Sequence, residues 1–347
     1  MKTRRRLLVD ERIGLKHGAG GRAMRALIQE VFLNGFAEAP VDGIGPAAMD
    51  DGAALRIGDR WLVVTTDSHV IHPVFFPGGD IGRLAVAGTV NDLAMMGATE
   101  VLALTCAVIL EEGFPRADLE RIQGSIRKTC EEAGATVVTG DTKVMGKGEL
   151  DGIVLNTTGI GLTERVVPDS GLRPGDRILV TGTMGDHGFA IMALRKGLEL
   201  EGDLRSDVAP LNDLIRRALA AGDGAVVAMK DPTRGGLASA LHEMAAKSGV
   251  GIVLEEWKVP VTPVVSAAAD LLGIDPLHVA NEGKAVLGVH PAAAQRVLEA
   301  LRAHPNGRDA EIVGTCIAEP AGSVILDTGV GRRLLAEPEG EPLPRIC

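Results

Sequence analysis

The longest mostly apolar run in the chain has only the length of a buried strand, and this limits the fold more than any other feature of the sequence. That run is 101–110 (VLALTCAVIL), whereas a helix that spans a bilayer needs about 18–20 apolar residues. The apolar runs alternate with turns rich in glycine, of which the chain has 45. Short apolar runs with many tight turns are typical of α/β or α+β proteins. We therefore expect layered sheets and helices and no membrane span.

Length and charge narrow the class of protein further. A chain of 347 residues favours two domains over one. Aromatic residues make up 2% and tyrosine is absent, so aliphatic side chains must fill the cores. The net charge of -10 argues against binding to nucleic acid or to an anionic membrane. The one basic run, residues 2–6, is not followed by an apolar stretch of signal-peptide length, and we expect a cytoplasmic protein.

Proline and glycine divide the chain near 164–175 (ERVVPDSGLRPG). We predict domains over 1–164 and 165–335, followed by a mobile tail over 336–347 that holds three Pro and one Gly. In the first domain, apolar periodicity predicts helices over 20–36, 79–96 and 116–132 and strands over 61–67, 101–110, 136–141 and 151–161. In the second, it predicts strands over 176–182, 251–255, 285–290, 310–317 and 323–327, and helices from about 188 and over 211–221, 234–248, 264–272 and 292–303.

Several aspartates stand at predicted strand ends or in loops, flanked by small residues, and they are candidates for a metal site. They are Asp50, Asp51, Asp67, Asp92 and Asp141. Mg²⁺ prefers oxygen ligands and bridges to phosphate oxygens, so carboxylates that converge on one point would suit Mg-ATP. Aspartate is also common in turns and helix caps, which accounts better for any one of them taken alone. As a set within one half of the chain, they lean towards a metal and phosphate site.

Two glycine-rich segments could meet phosphate groups. No GxxxxGK(S/T) motif occurs, so this is not a P-loop enzyme. Residues 18–23 (GAGGRA) open a predicted helix without a convincing strand before them, and we favour a loop that closes over phosphates to a dinucleotide fingerprint. In residues 231–236 (DPTRGG), Asp231 or Thr233 could cap a helix and Arg234 could help to seat an anion. A well-capped, closely packed helix explains this second segment equally well.

Cys347, the last residue, is the sharpest single feature. On a Pro-rich tail its thiol could swing into a cleft or out to a partner, and it would need partial deprotonation to react. The alternative is an incidental terminal residue. None of the four cysteines forms a CxxC pair, so a zinc site is not expected. Cys106 and Cys316 lie in apolar runs, as buried thiols do.

Lys143 and Glu282 are candidate acid–base groups. Lys143 follows Asp141 by two residues, so on a strand end both could face one cleft. Glu282 lies in a turn (NEGK) just before a predicted strand. Each residue, taken alone, is more often a surface charge. His69 and His72 are spaced like metal ligands but lack a third ligand, and we favour a structural or substrate-edge role for them.

Together these segments resemble the HypE family of hydrogenase maturation proteins. The matching stretches are HGAGG (17–21), MDDGAAL (49–55), TTDSHVIHPVFFPGGDIGRLAVAGTVNDLAMMGA (65–98), TGDTKV (139–144), DPTRGGLASALHEMA (231–245), NEGK (281–284) and PRIC (344–347). HypE proteins are the carbamoyl dehydratases of the superfamily that includes aminoimidazole ribonucleotide synthetase, selenophosphate synthetase and thiamine monophosphate kinase. The acids alone indicate the superfamily, whereas HPVFFPGGDIG and the terminal PRIC indicate the member. The resemblance covers essentially the whole chain.

The resemblance implies an α+β fold (an α/β sandwich) of two domains, in a homodimer whose N-terminal sheets share a β-barrel beside an ATP cleft. It implies ATP-dependent dehydration of an S-carbamoyl group on Cys347 to S-cyanate, which supplies the cyanide ligands of NiFe hydrogenase. The implied partners are the carbamoyltransferase HypF and a HypC–HypD complex. Lys143 and Glu282 would assist the dehydration. The implied ATP ligands are Gly18, Gly20, Gly21, Asp50, Asp51, Asp67, Asn91, Asp92, Asp141 and Arg234, and the five aspartates among them are the implied Mg²⁺ ligands.

Other functions stay open at this point. A selenophosphate synthetase would be expected to carry a reactive cysteine or selenocysteine near the glycine loop, and no cysteine precedes Cys106. Thiamine monophosphate kinase and aminoimidazole ribonucleotide synthetase would share the acids but have no need of a terminal thiol. A non-catalytic maturation scaffold would not hydrolyse ATP.

Overall fold

The computed structural model describes residues 12–18, 20–33, 42–337 and 346–347, and these residues form a mixed α+β fold of two halves. The helices are α1 (Gly21–Leu27), α2 (Ile81–Met95), α3 (Arg116–Ala133), α4 (Asp186–Lys196), α5 (Asn212–Gly222), α6 (Gly236–Ser248), α7 (Pro263–Leu272) and α8 (Pro291–Arg302). The strands are β1 (Gly43–Ile44), β2 (Ala53–Ile57), β3 (Arg60–His69), β4 (Phe75–Phe76), β5 (Gly79–Asp80), β6 (Glu100–Glu111), β7 (Val137–Met145), β8 (Ile153–Thr163), β9 (Arg177–Val180), β10 (Val226–Lys230), β11 (Gly251–Glu255), β12 (Val286–Val289), β13 (Glu311–Ile317), β14 (Val324–Asp327) and β15 (Arg332–Leu334).

The first sheet lies in the N-terminal half and has the order β1-β2-β3-β8-β6-β7. Its neighbouring strands are antiparallel except β6 and β7, which are parallel and are joined by α3. A parallel pair requires such a crossover. α2 packs on β3 and β8, with α3 beside it, so that helices cover one face of the sheet.

The edge strand β7 of this sheet exposes apolar side chains. On the edge strand β7, Val138 is 59% exposed and Val144 is 67% exposed. Within the described residues the sheet is open, with β1 and β7 at its edges. The barrel implied by the family resemblance would therefore need the strands of a second chain.

α2 belongs to both halves of the molecule. It is buried almost all round because its sequence, IGRLAVAGTVNDLAM, is composed mainly of small and aliphatic residues. Asp80 caps it, since Asp80 Oδ1 accepts hydrogen bonds from the backbone N–H groups of Gly82 at 2.8 Å and Arg83 at 3.0 Å. Near its C-terminal end, Ala94 and Met95 join the core of the C-terminal half. The helix thus carries its polar residues to the junction between the halves.

The second sheet has the order β10-β12-β9-β13-β11-β14-β15. Its neighbouring strands are antiparallel except β11 and β14. α6 packs on one face of the sheet, and α5 and α8 pack on the other. Both faces are covered, which explains why β9 and β12 are almost entirely buried and, apart from Arg177, carry no polar side chain.

Most elements lie close to their predicted ends, and three differences matter. The helix predicted over 20–36 is α1 followed by a π-helical turn, Ile28–Phe32, and its last residues, 34–36, lie outside the described residues. The strands β2 and β10 were not predicted, although both carry apolar runs. β7 continues to Met145, beyond its predicted end. Among the described residues, no helix combines the length and the apolarity that a membrane crossing requires.

Candidate active site

A cavity of about 420 Å³ lies where the two halves meet. β3 and α2 line it from the N-terminal half, and the end of β10 and the start of α6 line it from the C-terminal half. Eight of the predicted site residues converge here, namely Gly20, Asp50, Asp51, Asp67, Asp92, Arg234, Glu282 and Cys347. The site therefore depends on packing between the halves and is not complete in either one.

Two aspartates of the cavity wall are positioned by side chains from strands of the two different sheets. Lys230 Nζ donates to Asp51 Oδ1 at 2.6 Å, and Thr65 Oγ1 donates to Asp92 Oδ2 at 2.7 Å. The other Asp51 oxygen, Oδ2, is buried and has no hydrogen-bond partner among the described residues. Because a buried carboxylate oxygen without a partner is costly, a cation facing Asp51 would stabilise it.

The carboxylates of the cavity raise one another's pKa. Burial, followed by the charge of Asp169, raises the pKa of Asp50 to about 7. Burial raises the pKa of Asp92 well above its usual value, and the charges of Asp231 and Asp67 add to the shift. Like charges held this close repel each other, and a divalent cation would relieve that repulsion. The donor atoms are carboxylate oxygens, the ligand type that Mg²⁺ prefers.

The donor set fits a metal that is shared with a substrate. In the part of the chain that the structure describes, no three His, Cys, Asp or Glu side chains form a ready-made metal cluster. Mg²⁺ is commonly bound by one or two carboxylates together with phosphates of the substrate. Asp50, Asp51, Asp67 and Asp92 could supply those carboxylates, since all four line the cavity.

Lys230 and Asp231 also line the cavity, although neither is among the predicted ligands. Burial, followed by the charge of Asp51, raises the pKa of Asp231 to about 8. Lys230 Nζ lies 3.4 Å from Glu243 Oε2, so its positive charge is shared among several acids. The signal was present in the sequence, because 225–231 (AVVAMKD) has the form of a strand ending at an acid, as does the segment before Asp67.

The start of α6 differs from its prediction. The helix begins at Gly236 with Gly235 as its N-cap, and glycine has no side chain with which to cap the helix. The expected cap by Asp231 or Thr233 is therefore wrong. Asp231 lies ahead of the helix and lines the cavity.

Arg234 links the glycine loop to the acidic wall. Its Nη1 donates to the Gly18 carbonyl at 3.0 Å, and its Nη2 lies 3.9 Å from Asp67 Oδ1. At Gly20, φ is +78° and a Cβ would stand 2.8 Å from the Arg234 Cβ, so only glycine permits this close approach. Of the three predicted glycines, all within the described residues, only Gly20 lines the cavity, and Gly21 begins α1 behind it.

Asn91 supports the site from behind. Its Nδ2 donates to the carbonyls of Ala209 at 3.1 Å and Glu282 at 3.3 Å. Its Oδ1 accepts a hydrogen bond from the Leu211 N–H at 2.8 Å. The Asn91 amide is thus used by backbone groups of the other half. Through these hydrogen bonds Asn91 positions the backbone at Glu282, and its role as an ATP ligand stays a prediction.

Glu282 brings a buried carboxyl group to the cavity. Its backbone N–H donates to Asp207 Oδ1 at 3.0 Å, and its side-chain Oε1 is buried without a hydrogen-bond partner in the described part of the chain. Burial, followed by the charges of Asp231 and Asp67, raises the pKa of Glu282 well above its usual value. A carboxyl group with so high a pKa holds a proton strongly and is suited to proton transfer.

Cys347 lines the same cavity as Glu282. The Val70 N–H donates to the backbone oxygen of Cys347 at 3.1 Å, and the charge of Cys347 is the largest influence that raises the pKa of Arg234. Most of the predicted mobile tail, residues 338–345, lies outside the described residues. The end of the chain thus brings the candidate reactive thiol to the acidic wall.

Asp141 and Lys143 lie on β7, away from the cavity. Their side chains are 61% and 66% exposed, and Lys143 Nζ is 2.8 Å from Asp141 Oδ2. The hydrogen bond from Lys143 lowers the pKa of Asp141. Because β7 is the edge strand of the first sheet, a single chain leaves this pair at its surface. One copy of the chain does not bring either residue to the other predicted ligands.

The two histidines that follow Asp67 do not form a pair of ligands. His69 is buried, its Nε2 lies 3.7 Å from Asp67 Oδ2, and burial lowers its pKa. His72 is exposed, and its carbonyl accepts a hydrogen bond from Arg195 Nε at 2.6 Å. Among the other thiols, Cys316 is buried as expected, whereas Cys106 is only half-buried.

Comparison with known proteins shows which family the chain belongs to. Residues 49–163 match the N-terminal domain, and residues 173–327 the C-terminal domain, of AIR synthase related proteins. Carbamoyl dehydratase HypE of Cupriavidus necator is 48% identical over 97% of this chain and 95% of its own length. In the crystal structure of a HypE–HypF complex, the matching chain is 44% identical with a TM-score of 0.83, over 90% of this chain and all of that one.

A HypE crystallised in complex with ATP is 42% identical, with a TM-score of 0.79, over 96% of this chain and 99% of that one. The fold and the acidic cavity thus define an AIR synthase related protein. Within that class, the chain belongs to the HypE family, whose members bear the name carbamoyl dehydratase.

Proposed function

We propose that this protein is an ATP-dependent carbamoyl dehydratase that acts on its own last residue. An S-carbamoyl group on Cys347 would lose water and become an S-cyanate, which supplies the cyanide ligands of NiFe hydrogenase. The observation that carries the proposal is that Cys347, Glu282 and four predicted metal-binding aspartates line one cavity. The ATP complex of a HypE that is 42% identical supports ATP as the second substrate.

The acidic wall is assigned to the nucleotide and its metal. When bound, ATP would supply the phosphoryl group that turns the carbamoyl oxygen into a leaving group, with Mg²⁺ offsetting the phosphate charge. Asp51, Asp67 and Asp92 would hold the metal, and Asp50 would stand beside them. Gly20 has no side chain to obstruct a phosphate, and Arg234 would neutralise negative charge that develops during transfer.

Glu282 is assigned the removal of protons from the carbamoyl nitrogen. In the balanced reaction, the carbamoyl C–O bond breaks, the oxygen leaves on phosphate, and the nitrogen gives up both hydrogens as protons to leave S–C≡N. Burial and neighbouring charges raise the pKa of Glu282, which makes it a strong acceptor once it is ionised. The buried setting also keeps water from an activated carbamoyl group, which would otherwise hydrolyse.

The open first sheet supports a homodimer. Val138 and Val144 are exposed on the edge strand β7, and Leu102 on β6 is 45% exposed. Pairing with a second copy would cover this surface and close the two sheets into the predicted barrel. The Asp141–Lys143 pair of one copy would then lie at the shared interface, where it could serve the cavity of the other.

The three predicted segments acquire separate tasks in this proposal. Residues 1–164 bind ATP and dimerise, 165–335 present Arg234 and Glu282, and 336–347 carry the substrate group. HypF would load the carbamoyl group, and a HypC–HypD complex would receive the cyanide. The HypE–HypF complex of a 44% identical chain supports the first of these partners. We place the reaction in the cytoplasm.

Mass spectrometry of the C-terminal peptide tests the proposal. The protein is incubated with HypF, carbamoyl phosphate and ATP, and with the same mixture lacking ATP. We expect a carbamoyl adduct on Cys347 in the complete mixture, followed by the loss of one water in a step that requires ATP. Cys347→Ser, as the control, should give neither product. An adduct on Cys106, or none on any cysteine, would refute the mechanism.

A further inference from the structure

The last two residues, Ile346 and Cys347, are bound in a site formed by the rest of the chain, which we call the seat. The Ile346 side chain is 2% exposed and packs in the apolar cluster that contains Ile71, Phe76 and Ile81. Gly188 faces it so closely that a Cβ there would stand 3.1 Å from Ile346 Cδ1. Burial of a side chain of this size stabilises the seated end, and the absence of a side chain at Gly188 leaves room for both Ile346 and Val279.

A chain of hydrogen bonds binds the backbone carbonyl of Ile346. His187 Nε2 lies 2.7 Å from the Ile346 carbonyl oxygen, and because a carbonyl can only accept, Nε2 carries the proton. In a neutral imidazole, Nδ1 is then an acceptor, and Ser206 Oγ donates to it at 2.7 Å. Ser206 Oγ in turn accepts from the Val208 N–H at 3.1 Å. Every group in this chain has one consistent role.

His187 is held in place on all sides. It is fully buried, and its ring meets that of Phe76 edge-on at 5.6 Å between centroids. Burial lowers its pKa, although the charge of Asp207 and the bond to Ile346 oppose the shift. The ring is therefore neutral at physiological pH, as its hydrogen-bonding pattern requires.

We propose that His187, oriented by Ser206, is a positioning residue that holds the Ile346 carbonyl and so sets where the Cys347 thiol meets the cavity. The inference rests on the proposed function and extends it to residues outside the nucleotide site. The Ile346 carbonyl is one peptide plane from the Cys347 Cα, and peptide planes are rigid. With this carbonyl held by His187 and the Cys347 oxygen held by Val70, few torsions remain free to displace the thiol.

Digestion by carboxypeptidase Y measures this seat directly. The protease removes Cys347 only from an unseated chain end, and when reseating is faster than cleavage the rate follows the unseated fraction. His187→Asn can place its amide oxygen near Nδ1, where it accepts from Ser206, and loses the Nε2 donor, whereas His187→Gln places an amide nitrogen near Nε2. We expect Cys347 to be released about 5-fold faster from His187→Asn, the effect of one net hydrogen bond, and at the wild-type rate from His187→Gln.

A matched control is available in His242, whose Nε2 lies 3.0 Å from the Leu335 carbonyl. His242→Asn removes the same kind of bond outside the seat and should leave the release of Cys347 unchanged. If His187→Asn does not fold, as judged by thermal unfolding, Ser206→Ala removes the donor to Nδ1 and should also accelerate release. The proposal is overturned if the folded variant releases Cys347 at the wild-type rate, if His187→Gln is as fast as His187→Asn, or if His242→Asn is equally fast.

The digestion contains neither ATP nor a carbamoyl donor, so it decides the role of His187 even if no S-cyanate is ever formed. A second measurement ties the seat to the chemistry. In a single turnover, loss of water from carbamoylated Cys347 should slow in His187→Asn and recover in His187→Gln, with the KM for ATP unchanged. A change in that KM instead would assign His187 to the nucleotide site and contradict the proposal.

Discussion

The cavity acids and the Asp141–Lys143 pair look alike in the sequence and have opposite environments in the fold. Asp67 and Asp141 each end a predicted strand and have small neighbours. Asp67 lines the cavity beside Arg234, whereas Asp141 is mostly exposed. β3 lies inside its sheet with α2 packed on it, and β7 lies at the edge. Strand order, rather than the local pattern, decides which acids converge.

The largest expected effect separates the two regions by activity. Asp92→Asn removes a buried carboxylate from the proposed metal site, so ATP hydrolysis should fall about 10²–10³-fold, as for loss of a principal electrostatic contact in an active site. A coupled assay of ADP release measures it. Asp59→Asn, at an exposed turn of the same half, is the control and should stay at the wild-type rate. If Asp92→Asn hydrolysed ATP at the wild-type rate, the cavity acids would be no more important for activity than the exposed Asp141–Lys143 pair, and the proposed metal site would be wrong.

A smaller effect tests whether β7 serves a second copy of the chain. Asp141→Asn should also lose activity, and mixing it with Asp92→Asn should restore it in part. In a two-fold dimer with random pairing, about a quarter of the cavities would then receive intact residues from both copies. Activity after unfolding and refolding the two variants together, compared with each refolded alone, gives the measurement. The absence of any recovery would mean that the Asp141–Lys143 pair does not complete a shared site.

The smallest effect compares the pH windows of a buried and an exposed group. The pKa of His187 is lowered by burial, in spite of Asp207 and the Ile346 bond and with help from Arg195. As the pH falls below about 6.5, His187 binds a proton in the unfolded chain but stays neutral in the folded chain. The free energy of unfolding therefore falls as the pH drops below that value. The pKa of Asp141 is lowered from 3.8, so its contribution is lost only in stronger acid.

Urea unfolding at pH 7, 6 and 5 measures this difference. Relative to His187→Gln, the wild type should lose at most about 1.4 kcal/mol per pH unit, the slope for one proton. Asp141→Asn should follow the wild type over the same range. Parallel profiles for the wild type and His187→Gln would show that His187 titrates normally in the fold.

Local patterns predict much of this fold because they depend on neighbours in the chain. Apolar periodicity places α3 and β11 within a residue of their observed ends. Aspartates at strand ends, such as Asp67, can be recognised from the residues next to them in the same way. Asp231 follows β10, a strand that was not predicted although its sequence, VVAMK, is mostly apolar.

Other parts of the site depend on contacts between distant segments and could not be read locally. The exposure of Asp141 follows from the place of β7 at the sheet edge, which only the pairing of strands determines. The role of Asn91 depends on backbone groups more than a hundred residues away. The seat of Ile346 joins residues 71–81, 187–188 and 346, a combination that no spacing in the sequence indicates.

The three hydrogen bonds of Asn91 have a mechanical consequence. A single amide from the first half fastens two separate backbone stretches of the second, so a hinge motion between the halves would have to break all three, at about 1 kcal/mol each. A reactant that could enter only by pushing the two halves apart would therefore have to overcome the cost of breaking these bonds. The cavity suits a reactant threaded in lengthwise, as the free end of a polypeptide can be.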